Sequence, residues 1–85
     1  MIEEDSRRIV VAPKTLTSKE VTIAGVKLSE GDLIEVGYSR RVIVGTFIAY
    51  DRLLHALSLR LDDGSEMIIP YKNVKYIVVR RKANV

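Results

Sequence analysis

Apolar and polar residues alternate with a period of two through the second half of the chain, the spacing of half-buried strands. The clearest run is 53–61, where Leu53, His55, Leu57, Leu59 and Leu61 interleave with Leu54, Ala56, Ser58 and Arg60. It predicts a strand with one apolar and one mixed face. Asp32 to Tyr38 and Arg41 to Tyr50 read as two earlier strands around a turn at Ser39-Arg40. Asp62-Asp63-Gly64-Ser65 marks a hairpin, because Asp-Gly accepts the positive φ that tight turns need. Glu66 to Ile69 returns as a strand, and Pro70, with no N–H to give, interrupts its ladder. Val74 to Arg80 is the last strand. Its Ile77-Val78-Val79 run lacks polar alternation and predicts burial on both sides. Five strands with short turns in about 50 residues imply a mostly β fold, a strongly bent sheet closing into a small SH3-like barrel.

The first 30 residues are less regular. Arg7 to Ala12 reads as a first extended piece stopped by Pro13. Thr17-Ser18-Lys19-Glu20 fits a capping box, and Gly25 would then end a two-turn helix. Val21, Thr22 and Ile23 are all β-branched and favour a strand instead. Both readings stand at this stage. The chain thus divides into an N-terminal extension, 1–30, carrying a short helix or an extra strand, a barrel over 31–82 and a tail at 83–85, with fraying from Lys82.

Composition narrows the function. A chain of 85 residues holds one domain and a modest core. With no cysteine it has no disulfide and no thiolate metal site, so oligomerisation is the remaining common way to bury more area. No apolar run approaches the roughly 18 residues of a membrane span, and the acidic start Met1-Ile2-Glu3-Glu4-Asp5 is unlike a signal peptide. A cytoplasmic protein is expected. The absence of Gln and Cys fits a thermophilic source. Net charge is +3, but residues 1–37 carry five basic and seven acidic groups, against nine basic and four acidic over 38–85. The basic excess favours a polyanion as partner. One His, no Cys and no Gly-rich phosphate loop leave no nucleophile–base pair, so no enzyme activity, cofactor, metal or small-molecule substrate is expected.

Gly45-Thr46-Phe47-Ile48-Ala49-Tyr50-Asp51 and Ile69-Pro70-Tyr71-Lys72-Asn73-Val74 form two halves of one signature. Gly45, Phe47 and the Tyr50-Asp51 pair, followed by the apolar 53–59 stretch, resemble the first motif of the Sm and Sm-like (LSm) family. Tyr71-Lys72-Asn73 before an apolar strand resembles the corner in its Hfq-like branch, with Asn in place of His; the archaeal branch carries Arg-Gly there. The match covers roughly 31–80. Leu53 stands where the family has an aromatic or His, and His55 where it commonly has Asn. The resemblance implies a homo-oligomeric ring, a pentamer to a heptamer, that binds single-stranded RNA in RNA metabolism or as an RNA chaperone. It implies an RNA site from Asp51, Leu53, His55, Tyr71, Lys72 and Asn73. Tyr71 or His55 would stack on a base, Asn73 would read a base edge, Lys72 would meet phosphate or ribose, and Asp51 would orient its loop.

Arg40-Arg41 and Arg80-Arg81 are candidates for a basic rim repeated by symmetry, or for charges that keep strand ends from aggregating. Bland roles compete elsewhere too: His55 and Tyr50 as barrel packing, Lys72 as a solvated charge. Two other functions remain open. Residues 7–36 resemble the swapped-hairpin AbrB-type domain, which implies a dimeric regulator on duplex DNA. An SH3-like protein-interaction module is the third, although one Phe and four Tyr make a poor aromatic groove.

Overall fold

The computed structural model describes residues 16–83. Regular structure there is β, apart from 3-10 turns such as Tyr71–Asn73. The strands are β1 (Thr17–Ser18), β2 (Glu20–Ile23), β3 (Val26–Ser29), β4 (Leu33–Tyr38), β5 (Arg41–Asp51), β6 (Ala56–Arg60), β7 (Glu66–Pro70) and β8 (Val74–Arg81). The main sheet runs β7-β6-β5-β4-β8, entirely antiparallel, with β1 laid against the end of β5. The β2–β3 hairpin forms a separate two-stranded sheet.

Ile34 and Val36 on β4, Phe47 on β5, Leu57 and Leu59 on β6, Ile69 on β7 and Ile77 on β8 meet in one cluster. A flat sheet could not bring its two outermost strands to a common core, so the sheet curves around Phe47. A register shift in β5 between Phe47 and Ala49 supplies part of the bend. Each fully buried Leu or Phe here contributes about 1.5–3 kcal/mol relative to exposure. The hairpin closes the hollow side, because Ile23 and Leu28 enter the same cluster. The extension and the sheet therefore share a core.

The wrap is open. β7 and β8 are the outermost strands and pair with β6 and β4 respectively, not with each other; the Tyr71–Asn73 turn joins them. Both outer strands carry exposed apolar side chains, Ile68 on β7 and Tyr76 and Val78 on β8. Val78 thus departs from the expected two-sided burial: Ile77 is buried and Val79 packs partly buried against the core, while Val78 is exposed. Gly37, opposite Tyr76, leaves room for the tyrosine ring, which any Cβ at 37 would overlap.

Several boundaries differ from expectation. The helical alternative for 17–25 fails. Ala24 (φ 53°) and Gly25 (φ 79°) form a two-residue turn between paired Ile23 and Val26, so the β-branched run is a strand. The strand expected from Leu53 starts at Ala56, and Arg52–His55 is a turn. Pro70 ends β7 in the ladder, opposite Ala56, which an outer strand tolerates. Lys82 and Ala83 are not frayed: both bond to the buried carboxylate of Asp32. The piece at 7–12 and residues 84–85 lie outside the described residues, as do Arg7 and Arg8.

Candidate functional site

Asp51 closes β5 and shapes the turn after it. Its Oδ1 accepts the backbone N–H of Leu53 at 2.9 Å and of Leu54 at 3.0 Å. Such bonds offer the backbone an alternative to a ladder, and they turn the chain away from the sheet. Leu53 and Leu54 are consequently 66% and 60% exposed rather than one facing a core. His55 ends the turn at φ 53°, a left-handed conformation uncommon outside glycine. It is exposed, so the packing role does not hold.

The second motif half meets the first at this point. The carbonyl of His55 accepts the N–H of Tyr71 at 2.8 Å. Tyr71 opens the 3-10 turn, none of whose residues is buried. The turn's other end is tied to the β4–β5 hairpin, since Ser39 N–H donates to the Asn73 carbonyl at 3.2 Å. Three segments distant in sequence therefore form one loop cluster: 39–41, 51–55 and 70–73.

A hollow of about 430 Å³ opens there, lined by Leu54, His55, Pro70, Tyr71 and Lys72. Of the residues expected from sequence, His55, Tyr71 and Lys72 line it. Asp51 acts from behind, through its loop bonds. Leu53 and Asn73 lie on the same loops but do not line the hollow. Leu54 and Pro70 do, and sequence reasoning passed over them. An Asp followed by residues free to donate N–H groups was the available signal, because it marks a turn that moves Leu54 off the strand face.

The cluster is basic. Among the described residues Arg40, Arg41, Lys72 and Lys75 are exposed and form no ion pair, whereas Lys19, Arg60, Arg80 and Lys82 each pair with a carboxylate. The four arginines expected to make a rim do not sit together. Arg41 pairs with Tyr38 at one end of β4, and Arg81 pairs with Leu33 at the other. At ~3.4 Å per residue, about 17 Å of strand separates them. Arg80 is further committed to Glu35 at 3.6 Å, and Glu35 also accepts the Tyr76 hydroxyl at 2.8 Å. That bond raises the Tyr76 pKa above its usual value, helped by partial burial and the negative charge of Glu35.

The far end of β4 carries the opposite chemistry. Asp32 is out of contact with solvent, though it lies only just below the surface. Burial alone raises its pKa. The bonds from Lys82, Ala83 and Ser29, with the Lys82 charge, outweigh this and hold it below its ordinary value.

Among the described residues no group of three or more His, Cys, Asp or Glu is placed to hold a metal ion. None of their helices is long and apolar enough to cross a membrane. No family model matches the chain, and no curated protein or solved structure does either.

Proposed function

We propose that this chain is a non-catalytic, Sm-like subunit that binds single-stranded RNA on the 39–41, 51–55 and 70–73 loop cluster, working as a homo-oligomeric ring in RNA metabolism. The observation that carries the reading is the 2.8 Å bond from Tyr71 N–H to the His55 carbonyl, which joins the two motif halves beside the exposed Arg40, Arg41 and Lys72. An unstacked base offers a π face and hydrogen-bonding edges. Tyr71 and His55 supply planar surfaces beside the hollow, and Lys72 supplies a charge for phosphate. Asn73, next along the turn, carries both a donor and an acceptor for a base edge. Leu53 stands where the family carries a planar residue and Leu54 lines the hollow, so apolar contact there leaves stacking to Tyr71 and His55, without strong base selection.

The ring component rests on the two unpaired sheet edges. Among the described residues no strand covers the outer sides of β7 and β8, and a small domain gains most by covering such edges. Addition of β7 of one copy to β8 of the next makes a head-to-tail contact, and such contacts close into rings when the rotation permits. Closure multiplies the basic cluster by the number of copies, turning a weak single-site attraction into a strong, salt-dependent one. An RNA ligand of this kind fits a cytoplasmic setting.

Native mass spectrometry of the protein, gently purified from cells, tests both components. The expected result is a species of roughly five to seven copies, in keeping with a closed cyclic arrangement, with bound RNA that nuclease removes. A monomer or dimer free of RNA would overturn the proposal.

A further inference from the structure

Asp32 is the one charged residue buried among the described residues. Its Oδ1 accepts the Ala83 N–H at 2.6 Å, and its Oδ2 accepts Lys82 Nζ at 2.7 Å and the Ser29 N–H at 2.9 Å. Its own backbone is fixed to β5, where Phe47 N–H donates to the Asp32 carbonyl at 2.8 Å. Lys82 Nζ also reaches the Lys27 carbonyl of β3 at 3.4 Å. Ala83 packs on Gly31, whose φ of 98° suits glycine and where an added Cβ would come within 3.1 Å of the Ala83 methyl. One carboxylate thus joins the β3–β4 turn to the segment just beyond β8.

That junction solves a problem peculiar to β8. The strand is held on one side only, by β4, and its ladder slips between Leu33 and Ile34, opposite the bulged Arg80. An outer strand with a bulge near its end frays unless something beyond the bulge holds it. Lys82 and Ala83 lie beyond the bulge, and Asp32 holds both.

We propose that Asp32 is a positioning residue for assembly: by anchoring residues 82 and 83 it keeps β8 extended and ordered, ready for a neighbouring copy's β7 to add along its free side. This rests on the strand-addition reading above. Ordering an edge during association weakens binding, whereas an edge ordered on folding carries no such penalty at that step. Ala83 N–H is also consumed by the carboxylate, which ends the available edge at Arg81.

The test is a dilution series by native mass spectrometry on the full chain, comparing the unaltered protein with Ala83→Pro and Asp32→Asn. Ala83→Pro removes one N–H, leaves the carboxylate in place and keeps Lys82 in extended backbone. Hydrogen exchange on the dissociated protein reads the order of β8 separately from assembly. The expected result is an unchanged circular dichroism spectrum, lost protection in β8, and about a tenfold higher protein concentration at half-dissociation. Should Asp32→Asn fail to fold, Ala83→Pro decides alone. Variant rings that dissociate at the same concentration as the unaltered ring would overturn the role of Asp32 and leave the ring standing. An unaltered chain that never assembles would overturn both.

Discussion

At the Asp32 end of the sheet, three donors converge on one buried carboxylate. At the Tyr71 end, Arg40, Arg41, Lys72 and Lys75 point outward with no acidic partner among the described residues. Both ends are built from turns, and both tie distant segments together. They differ in where their polar groups are satisfied. The Asp32 end satisfies them internally, so its chemistry holds the chain. The Tyr71 end ties its backbone internally, through the His55–Tyr71 and Ser39–Asn73 bonds and the Asp51 carboxylate, while Arg40, Arg41, Lys72 and Lys75 stay exposed. A closed hydrogen-bond account marks a structural junction, while an open one on a rigid frame is where a ligand surface is sought.

The sharpest way to break this contrast is to remove the carboxylate. Asp32→Ala is expected to destabilise the folded chain by about 3 kcal/mol, since it leaves part-buried donors unpaired and frees the end of β8. Urea unfolding measures this, and a loss under about 1 kcal/mol would mean that the junction is decorative. Tyr71→Ala is expected to do the reverse. Its unfolding midpoint should shift by no more than about 0.5 kcal/mol in stability, while affinity for a short unstructured RNA falls about tenfold, in line with ~1–3 kcal/mol for each stacked base. Equal losses of stability and affinity would erase the distinction. Lys72→Ala should act more gently, lowering affinity uniformly across sequences and reducing the slope of log K against log salt by about 1. Titrations at several salt concentrations give that slope directly.

Acid separates the ends last and least. The folded-state pKa of Asp32 lies below its ordinary 3.8, so on acidification the unfolded chain takes up the proton first. The stability that this group contributes is complete above about pH 4 and is lost as pH falls through the folded value. Urea midpoints between pH 6 and pH 3 should therefore decline more for the unaltered chain than for Asp32→Asn. Parallel declines would show that other carboxylates carry the acid response.

Sequence reasoning reached the two ends unequally. The strands from Asp32 to Tyr50 and from Glu66 to Arg80 were legible because period-2 burial and Asp-Gly or Ser-Arg turns act over a few residues. The Leu53–His55 stretch reads as a strand because its alternation continues through a turn whose Leu53 and Leu54 N–H groups Asp51 captures. The 17–25 region supports both a capping box and a β-branched strand in sequence, and the left-handed Ala24 and Gly25 make it a hairpin. The Tyr71 cluster was partly legible because each motif half is local. Nothing local announced the Asp32 junction, whose partners Lys82 and Ala83 lie 50 and 51 residues further on.

The pairing of β4 with β8 sets the order of events during synthesis. β4, β5, β6 and β7 follow one another as neighbours, so each can dock on its predecessor as it leaves the ribosome. The other side of β4 must wait for Val74–Arg81, and Asp32 must wait for Lys82 and Ala83. Contacts across such long intervals form slowly. A nascent chain at residue 73 would display the 39–41, 51–55 and 70–73 loops with one wall of the sheet missing and the Asp32 carboxylate without Lys82 and Ala83. Emergence of residues 74–83 is then the step that turns a meander into the full five-stranded main sheet with its Asp32 junction closed.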